Sequence, residues 1–298
     1  MMRPSQRRLV TSLLGLAALH TGSGCQIVGG YKSFSGHPCN VLPSSKLDPS
    51  GLATLVLSKQ PDGTCYWIDK TEVTVEQYSA FLTKHAQPTA WDSTCSWKTE
   101  PSDPMHATTD DTCVASTSSE SEPFRATKPI RCIDWCDARA FCNWAGGDLC
   151  GGTINGGAVE PQDLPDEWGE ACSADGLPYV NGAMPVLGLC NSGVPAGQCL
   201  QLLKQYDCGA VDVSLLSGCV GPSGTVDMIG NVAEWVISCG YSDGGPDTLC
   251  QYRGGSFVDT LDAATCYGLE SAPRVTRART IGLRCCNALT PEEQSRVR

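Results

Sequence analysis

The chain of 298 residues is poor in charge and, beyond its N-terminus, has no long apolar run. Charged residues make up 18% of it, and 21 basic against 32 acidic residues leave a formal net charge of −11. This composition offers no basic surface for DNA or RNA and no polybasic patch for an anionic membrane. No apolar run after the N-terminal segment approaches the roughly 20 residues of a transmembrane helix. Nucleic-acid partners are therefore not expected.

Histidine and the common catalytic motifs are scarce as well. Only His37, His85 and His106 follow the N-terminal segment, and no two of them have the spacing of metal ligands. The sequence contains no G-x-S-x-G elbow, P-loop or dinucleotide-binding fingerprint. It therefore does not point to a familiar hydrolase or nucleotide-dependent enzyme.

Cysteine, in contrast, is abundant, with 19 residues scattered from Cys25 to Cys286. A chain of this length does not need disulfides to make up for a small core, and cytosolic thiol pools would keep these residues reduced. We therefore expect an oxidising compartment and a disulfide-rich fold. A zinc site at Cys132 and Cys136 is conceivable, but an exported chain argues against it.

The N-terminus has the order of an export signal. Basic residues within 3–8 precede the apolar stretch 9–19, and small residues lead to Cys25. This order predicts a signal peptide over residues 1–24. The arrangement resembles a bacterial lipoprotein signal, in which Cys25 would be acylated and anchor the mature chain to the cell envelope. Removing Cys25 leaves 18 cysteines, an even number as full pairing requires, although Gly22 departs from the lipoprotein pattern and leaves ordinary secretion as the alternative.

The rest of the chain shows short periodic segments separated by Gly, Pro and Ser. Residues 25–60 are predicted to form a tether and a first strand, and the polar stretch 88–128 to form a long loop stapled through Cys95 and Cys113. Helical signals begin at Thr74, at Asp134 and after Pro165, and strand-like pieces cover residues 232–237, 252–258 and 281–286. The sequence therefore predicts one irregular α+β domain with little regular secondary structure.

Six segments then occur in a recognisable order: "YWIDKTEVTVEQYSAFL" (66–82), "PIRCIDWCDARAFCNWAGG" (129–147), "DEWGEAC" (166–172), "DMIGNVAEWV" (227–236), "YRGGSF" (252–257) and "IGLRCC" (281–286). The series resembles the sulfatase-modifying-factor family, whose founding activity is formylglycine generation. The resemblance covers residues 61–288 and leaves 289–298 as a tail. It implies a single compact domain, related to C-type-lectin-like folds and containing calcium.

The "DMIGNVAEW" segment is the candidate calcium site. Calcium takes six to eight oxygen ligands from carboxylates and carbonyls, which a glycine-containing turn can supply. The resemblance implies ligands from the side chains of Asp227 and Glu234 and from the carbonyls of Gly230 and Val232. The alternative is that Asp227 caps a turn and Glu234 pairs with an arginine. A second family calcium site begins at an asparagine, for which Asn191 is the candidate.

The resemblance also implies two structural disulfides. The family joins the cysteine of the "WAGG"-like helix end to the last "GFRC"-like cysteine, which here are Cys142 and Cys285. It joins the cysteine after the "EW" helix to one in the penultimate segment, which here are Cys172 and Cys266. The pairing of the other cysteines stays open.

The resemblance breaks where the catalysis of the family takes place. Family oxidases hold copper(I) with two thiolates just after the "GGS" strand. Asp259 stands at the first of these positions, and Cys266 is the only thiol near the second. Ser256 matches the serine beside the active cysteine, so Cys266, Ser256 and Asp259 are the catalytic candidates. A carboxylate and one thiolate would hold copper(I) poorly, whereas a non-heme iron site is not excluded.

The sequence leaves open whether the protein is an enzyme. The favoured hypothesis is an exported, lipid-anchored, calcium-stabilised non-oxidase that binds a peptide, protein or small ligand in the groove of the family oxidases. The alternative is a divergent metal-dependent oxidoreductase, of the formylglycine-generating or non-heme-iron type, acting on an exported protein or small substrate.

Overall fold

A computed structural model describes residues 38–84, 93–106, 112–115, 117, 120, 122–151, 167–173, 176–193, 209–240 and 245–297. The predicted signal peptide and Cys25 lie outside the described residues. Within the described part, no helix is long and apolar enough to cross a membrane.

The first sheet has five strands in the order β1-β2-β3-β9-β4, and all neighbours are antiparallel. Its central strand β3 has no exposed residue, whereas β1 at the edge is mostly exposed. The strands are β1 (Ser45–Leu47), β2 (Thr54–Lys59), β3 (Cys65–Asp69), β4 (Asp148–Leu149) and β9 (Cys285–Ala288). The chain before residue 61 therefore contributes two strands to this sheet.

The second sheet has four strands in the order β7-β6-β5-β8. Strand β5 pairs in parallel with β8, and the other neighbours are antiparallel. The strands are β5 (Ala233–Cys239), β6 (Leu249–Arg253), β7 (Leu269–Pro273) and β8 (Ile281–Leu283). Strands β8 and β9 are separated by Arg284 alone, so one residue carries the chain from one sheet to the other.

Short helices lie between and after the strands. They are α1 (Val75–Lys84), α2 (Thr112–Ala115), α3 (Trp135–Trp144), α4 (Glu167–Cys172) and α5 (Pro291–Val297), with 3-10 turns at Pro38–Val41 and Ser93–Cys95. The helix starts predicted from the sequence are confirmed. Thr74 and Gln77 exchange capping hydrogen bonds before α1, and Asp134 and Asp137 form a capping box at α3.

Three sequence predictions differ from the structure. The strand predicted over 252–258 ends at Arg253, because Gly254 and Gly255 take positive φ angles of 90° and 67° and turn the chain. The strand predicted over 281–286 is divided between the two sheets at Arg284. The predicted tail 289–298 contains helix α5, which has no buried residue and so gives no apolar pattern to detect.

The core of the described residues has two large hydrophobic clusters and two smaller ones. One large cluster packs α1 and α3 against β5 and β8, and the other surrounds α4 and the segment before β5. Four tryptophans are among the largest fully buried side chains: Trp67, Trp135, Trp168 and Trp235. Burying an aromatic side chain removes a large apolar area from water, so these rings are major contributors to stability.

Disulfides join segments that are distant in the sequence. The pairs are Cys39–Cys65, Cys95–Cys136, Cys113–Cys132, Cys142–Cys285, Cys150–Cys286, Cys172–Cys266, Cys190–Cys219 and Cys239–Cys250. The loop predicted to be stapled through Cys95 and Cys113 is thus tied to the start of α3. Cys199 and Cys208 lie outside the described residues.

Candidate functional site

The segment from Asp227 to Val232 forms a tight, buried turn just before β5. Asp227 and Asn231 take positive φ angles of 59° and 55°, and Gly230 one of 76°. A Cβ atom on Gly230 would lie 2.6 Å from the carbonyl oxygen of Asn191, so only glycine fits there. The turn therefore packs directly against Asn191, the residue predicted to begin a second calcium site.

The "GGS" turn after β6 is bonded to this first turn. The amide of Gly230 donates to the carbonyl of Gly254 at 3.0 Å, and the amide of Phe257 donates to the carbonyl of Asn231 at 3.0 Å. A Cβ atom on Gly254 would lie 2.6 Å from the carbonyl oxygen of Met228. The predicted calcium turn and the predicted catalytic segment thus form one continuous site.

Four carboxylates and one guanidinium are buried in the first turn and around it. Asp69, Glu72, Asp227 and Glu234 are each at most 4% exposed, and Arg284 is fully buried. All four carboxylates interact electrostatically with Arg284. Full ionisation would leave three negative charges uncompensated within this group, which is costly in a low-dielectric interior.

Glu234 is the direct partner of Arg284. Nε of Arg284 donates to Oε1 and Oε2 of Glu234 at 3.1 and 3.0 Å, and Nη2 donates to Oε1 at 2.8 Å. The indole Nε1 of Trp168 donates to Oε2 at 2.6 Å. Three N–H groups donate to this carboxylate, because the single Nε hydrogen of Arg284 is shared between the two oxygens. Calcium at Glu234 would have to compete with these donors for the carboxylate oxygens.

Glu72 and Asn231 hold the shape of the turn. Glu72 accepts from Nδ2 of Asn231 at 3.0 Å and from the amide of Val232 at 3.2 Å. Oδ1 of Asn231 accepts from Nδ2 of Asn191 at 3.0 Å and from the amide of Val211 at 2.9 Å. These buried bonds stabilise the positive φ angle of Asn231, and they bring the predicted ligands into one cluster.

Burial shifts the acidity of three of these groups. It raises the pKa of Asp69 to about 7 and the pKa of Asp227 to about 6. Burial, together with the negative charges of Asp227 and Glu234, raises the pKa of Glu72 well above its usual value. Protons or a cation would compensate the negative charge of these buried carboxylates.

The donor set fits calcium in part. A hard dication compensates a surplus of buried negative charge. Oδ2 of Asp227 accepts a hydrogen bond from the amide of Ser214 at 2.6 Å. Asp227 and the carbonyls of Gly230 and Val232 are therefore the groups that would hold the ion, with Glu234 engaged by Arg284. Among the residues described, no three or more His, Cys, Asp or Glu side chains are arranged so that they could hold a metal ion together.

Two of the three catalytic candidates are bonded to each other. Oδ2 of Asp259 accepts from both the amide and the Oγ of Ser256, each at 2.7 Å. Ser256 is 1% exposed, so its hydroxyl is not accessible to a substrate as a nucleophile. The amide of Gly193 also donates to the carbonyl of Asp259 at 2.7 Å. Asp259 therefore closes the "GGS" turn and ties the Asn191 segment to it.

The third catalytic candidate, Cys266, is bonded to Cys172. Its amide donates to the carbonyl of Pro178, and its carbonyl accepts from Nη2 of Arg253 at 3.1 Å. The guanidinium of Arg253 lies 5.0 Å over the ring of Trp168. This disulfide and the Cys142–Cys285 bond are the two pairs that the family resemblance implies. All 16 cysteines in the described ranges are in disulfides, so no thiolate pair is present there.

The sequence matches the family described as "Sulfatase-modifying factor enzyme 1-like domain" over residues 58–289, more than three quarters of the chain. The chain belongs to the sulfatase-modifying factor family. The turn, the "GGS" segment and the two implied disulfides all lie within this match. No curated protein sequence matches the chain.

Solved structures of low sequence identity cover most of this chain. CarF has a TM-score of 0.49 and 18% identity, covering 76% of this chain and 88% of its own. PvdO from Pseudomonas aeruginosa has a TM-score of 0.49 and 17% identity, covering 83% and 99%. Treponema denticola variable protein 1 has a TM-score of 0.47 and 16% identity, covering 83% and 100%. No functional residue is transferred from them.

Sequence reasoning did not assign a role to Glu72, Asp69, Trp168 or Arg284. Glu72 and Arg284 lie inside two of the six family segments. A charged residue without an assigned role in such a segment was the sequence feature that could have indicated their part in the site. The partners described above for these residues are 50 to 215 residues away along the chain. Only the fold brings these groups together.

Proposed function

We propose that this member of the sulfatase-modifying factor family is a binding protein rather than an oxidase. It would be exported and would hold an extended peptide segment in the groove that family oxidases use for their substrates. The observation that supports this most directly is the engagement of Cys266 by Cys172, together with that of Asp259 by Ser256. Copper(I) prefers soft thiolates, which neither a disulfide sulfur nor a carboxylate supplies. A shared fold does not imply a shared activity when the residues of the site differ.

Two further properties belong to the proposal. Calcium would stabilise the turn through Asp227, which is supported by the surplus of buried carboxylates around Arg284. A lipid anchor on Cys25 would place the domain at the cell envelope, which is supported by the order of the N-terminal segment and by the many disulfides.

Metal content and peptide binding test the proposed function together. The purified mature protein is analysed for metals after incubation with calcium, copper and iron and removal of excess ions. Binding is measured by fluorescence anisotropy with a labelled sulfatase-derived peptide whose cysteine is replaced by serine. We expect bound calcium, no stoichiometric copper or iron, and measurable peptide binding. One equivalent of copper or iron would favour the oxidoreductase hypothesis instead.

A matched pair of surface variants locates the bound peptide. Tyr267, next to Cys266, is 54% exposed, and Val41, in the first 3-10 turn, is 50% exposed. Tyr267→Ala removes apolar contact area next to Cys266 and should weaken binding, whereas Val41→Ala should not. Equal effects of the two variants would show that the peptide does not use this groove.

A further inference from the structure

The Cys239–Cys250 disulfide differs in position from the other seven described. Cys239 ends β5, and Cys250 lies directly opposite it in the neighbouring strand β6. The two residues are 11 positions apart, whereas the other pairs are separated by 19 to 143 positions. This bond therefore links two strands that are already paired through their backbones.

Solvent exposure also distinguishes the Cys239–Cys250 disulfide from the others. Cys239 is partly exposed, whereas the other fifteen cysteines of the described ranges are buried. A disulfide is cleaved only when an attacking thiolate can reach one of its sulfur atoms. Cys239 is thus the most exposed cysteine residue among the described disulfides, although it also packs against the core.

The energetic contribution of this bond also favours its cleavage. The Cα atoms of Cys239 and Cys250 are 3.9 Å apart, against 4.8 to 5.9 Å for the other pairs. The usual range is about 4.4 to 6.8 Å, so reduction would let the two strands return to an ordinary spacing. In the chain-entropy argument the stabilisation grows with loop length, so this loop, the shortest among the described disulfides, contributes least of them. The seven longer loops would keep the fold closed.

We propose that Cys239–Cys250 is a thiol–disulfide exchange site whose substrate is a dithiol reductant. A thiolate of the reductant attacks Sγ of Cys239, and Sγ of Cys250 leaves as a thiolate and takes up a proton. The second thiolate of the reductant then attacks the reductant's own sulfur in the mixed disulfide and releases Cys239, which is also protonated. The protein disulfide gains two electrons, and the dithiol is oxidised to a disulfide.

Time-resolved labelling of the folded protein tests the proposal. The full mature chain is incubated without denaturant in low-millimolar dithiothreitol. Free thiols are alkylated at intervals, and the labelled positions are identified by peptide mass spectrometry after a second, isotopically distinct alkylation. A sample without reductant identifies thiols that were free from the start. We expect Cys239 and Cys250 to be labelled together and at least ~10-fold faster than any other described pair.

The buried pair Cys190–Cys219, with a separation of 29 and a Cα–Cα distance of 4.9 Å, is the internal comparison. Far-ultraviolet circular dichroism recorded during the fast phase should show that the fold is retained. The double variant Cys239→Ser, Cys250→Ser should lack the fast phase, and the wild-type labelling order decides the matter if that variant does not fold. Labelling of another pair first, or of all pairs together with loss of structure, would overturn the proposal.

Discussion

Replacing Arg284 by methionine tests the buried charge cluster. Methionine is unbranched and apolar like the aliphatic stem of arginine, so the change removes the charge and the donors while keeping the part of the side chain that packs as a stem. Glu234 would lose its three contacts to the guanidinium, and the carbonyls of Asp69 and Val226 would lose donors at 2.8 Å. Removing one partner of a buried ion pair costs about 3–5 kcal/mol. We therefore expect the free energy of unfolding to fall by at least ~3 kcal/mol.

The assay is guanidinium chloride denaturation with the disulfides intact, followed by tryptophan fluorescence. The expected result is a lower midpoint at an unchanged slope, because the surface exposed on unfolding stays the same. Arg125→Met is the matched control, since Arg125 is 35% exposed and pairs with Asp212 on the surface. Such a pair contributes about 0–1 kcal/mol. A loss below ~1 kcal/mol in Arg284→Met would refute the reasoning, because the carboxylates would then not depend on the guanidinium.

Three further predictions concern pH, calcium and export. The pKa of Asp69 is raised to about 7, so the folded state binds more protons than the unfolded state between pH ~4 and ~7. The free energy of unfolding should therefore fall as the pH rises through this window, by up to about 4 kcal/mol. Asp227 and Glu72 also have raised pKa values, so Asp69→Asn should make that dependence shallower without abolishing it, and an equally steep curve would show that Asp69 does not contribute. Calcium at a hundredfold excess over its dissociation constant should add about 2.7 kcal/mol, measured as a thermal shift that chelator reverses and Asp227→Ala abolishes. A melting curve indifferent to chelator would count against the site. Mature protein from a host with lipoprotein processing should partition with membranes and begin at an acylated Cys25, whereas a soluble chain with an unmodified Cys25 would refute the anchor.

Local signals in the sequence located the elements well. The capping pattern at Thr74 and the helical signal at Asp134 correctly predicted the starts of α1 and α3, because caps and periodicity depend on residues within one or two turns. The glycines at 254 and 255 end β6 through their positive φ angles. Their role in a tight turn could be read only with the structure, since glycine also occurs within strands.

The charge balance of the site could not be predicted in the same way. The sequence offered two readings for Glu234, as a calcium ligand or as the partner of an arginine, and the structure shows the arginine contact. Which arginine is involved depends on the division of the 281–286 segment between two sheets at Arg284. Tertiary packing decides where the segment is divided, because both halves have a strand-like composition.

The most direct measurement of the central claim is an assay for aldehyde in a sulfatase-derived cysteine peptide. The purified protein is loaded with copper(I) under oxygen, the peptide product is analysed by mass spectrometry, and the disulfides of the same sample are mapped. We predict no formylglycine above background, with Cys266 recovered in its bond to Cys172. Aldehyde formation that disappears in Cys266→Ser would show that this cysteine is catalytic and would contradict the assignment of a binding function.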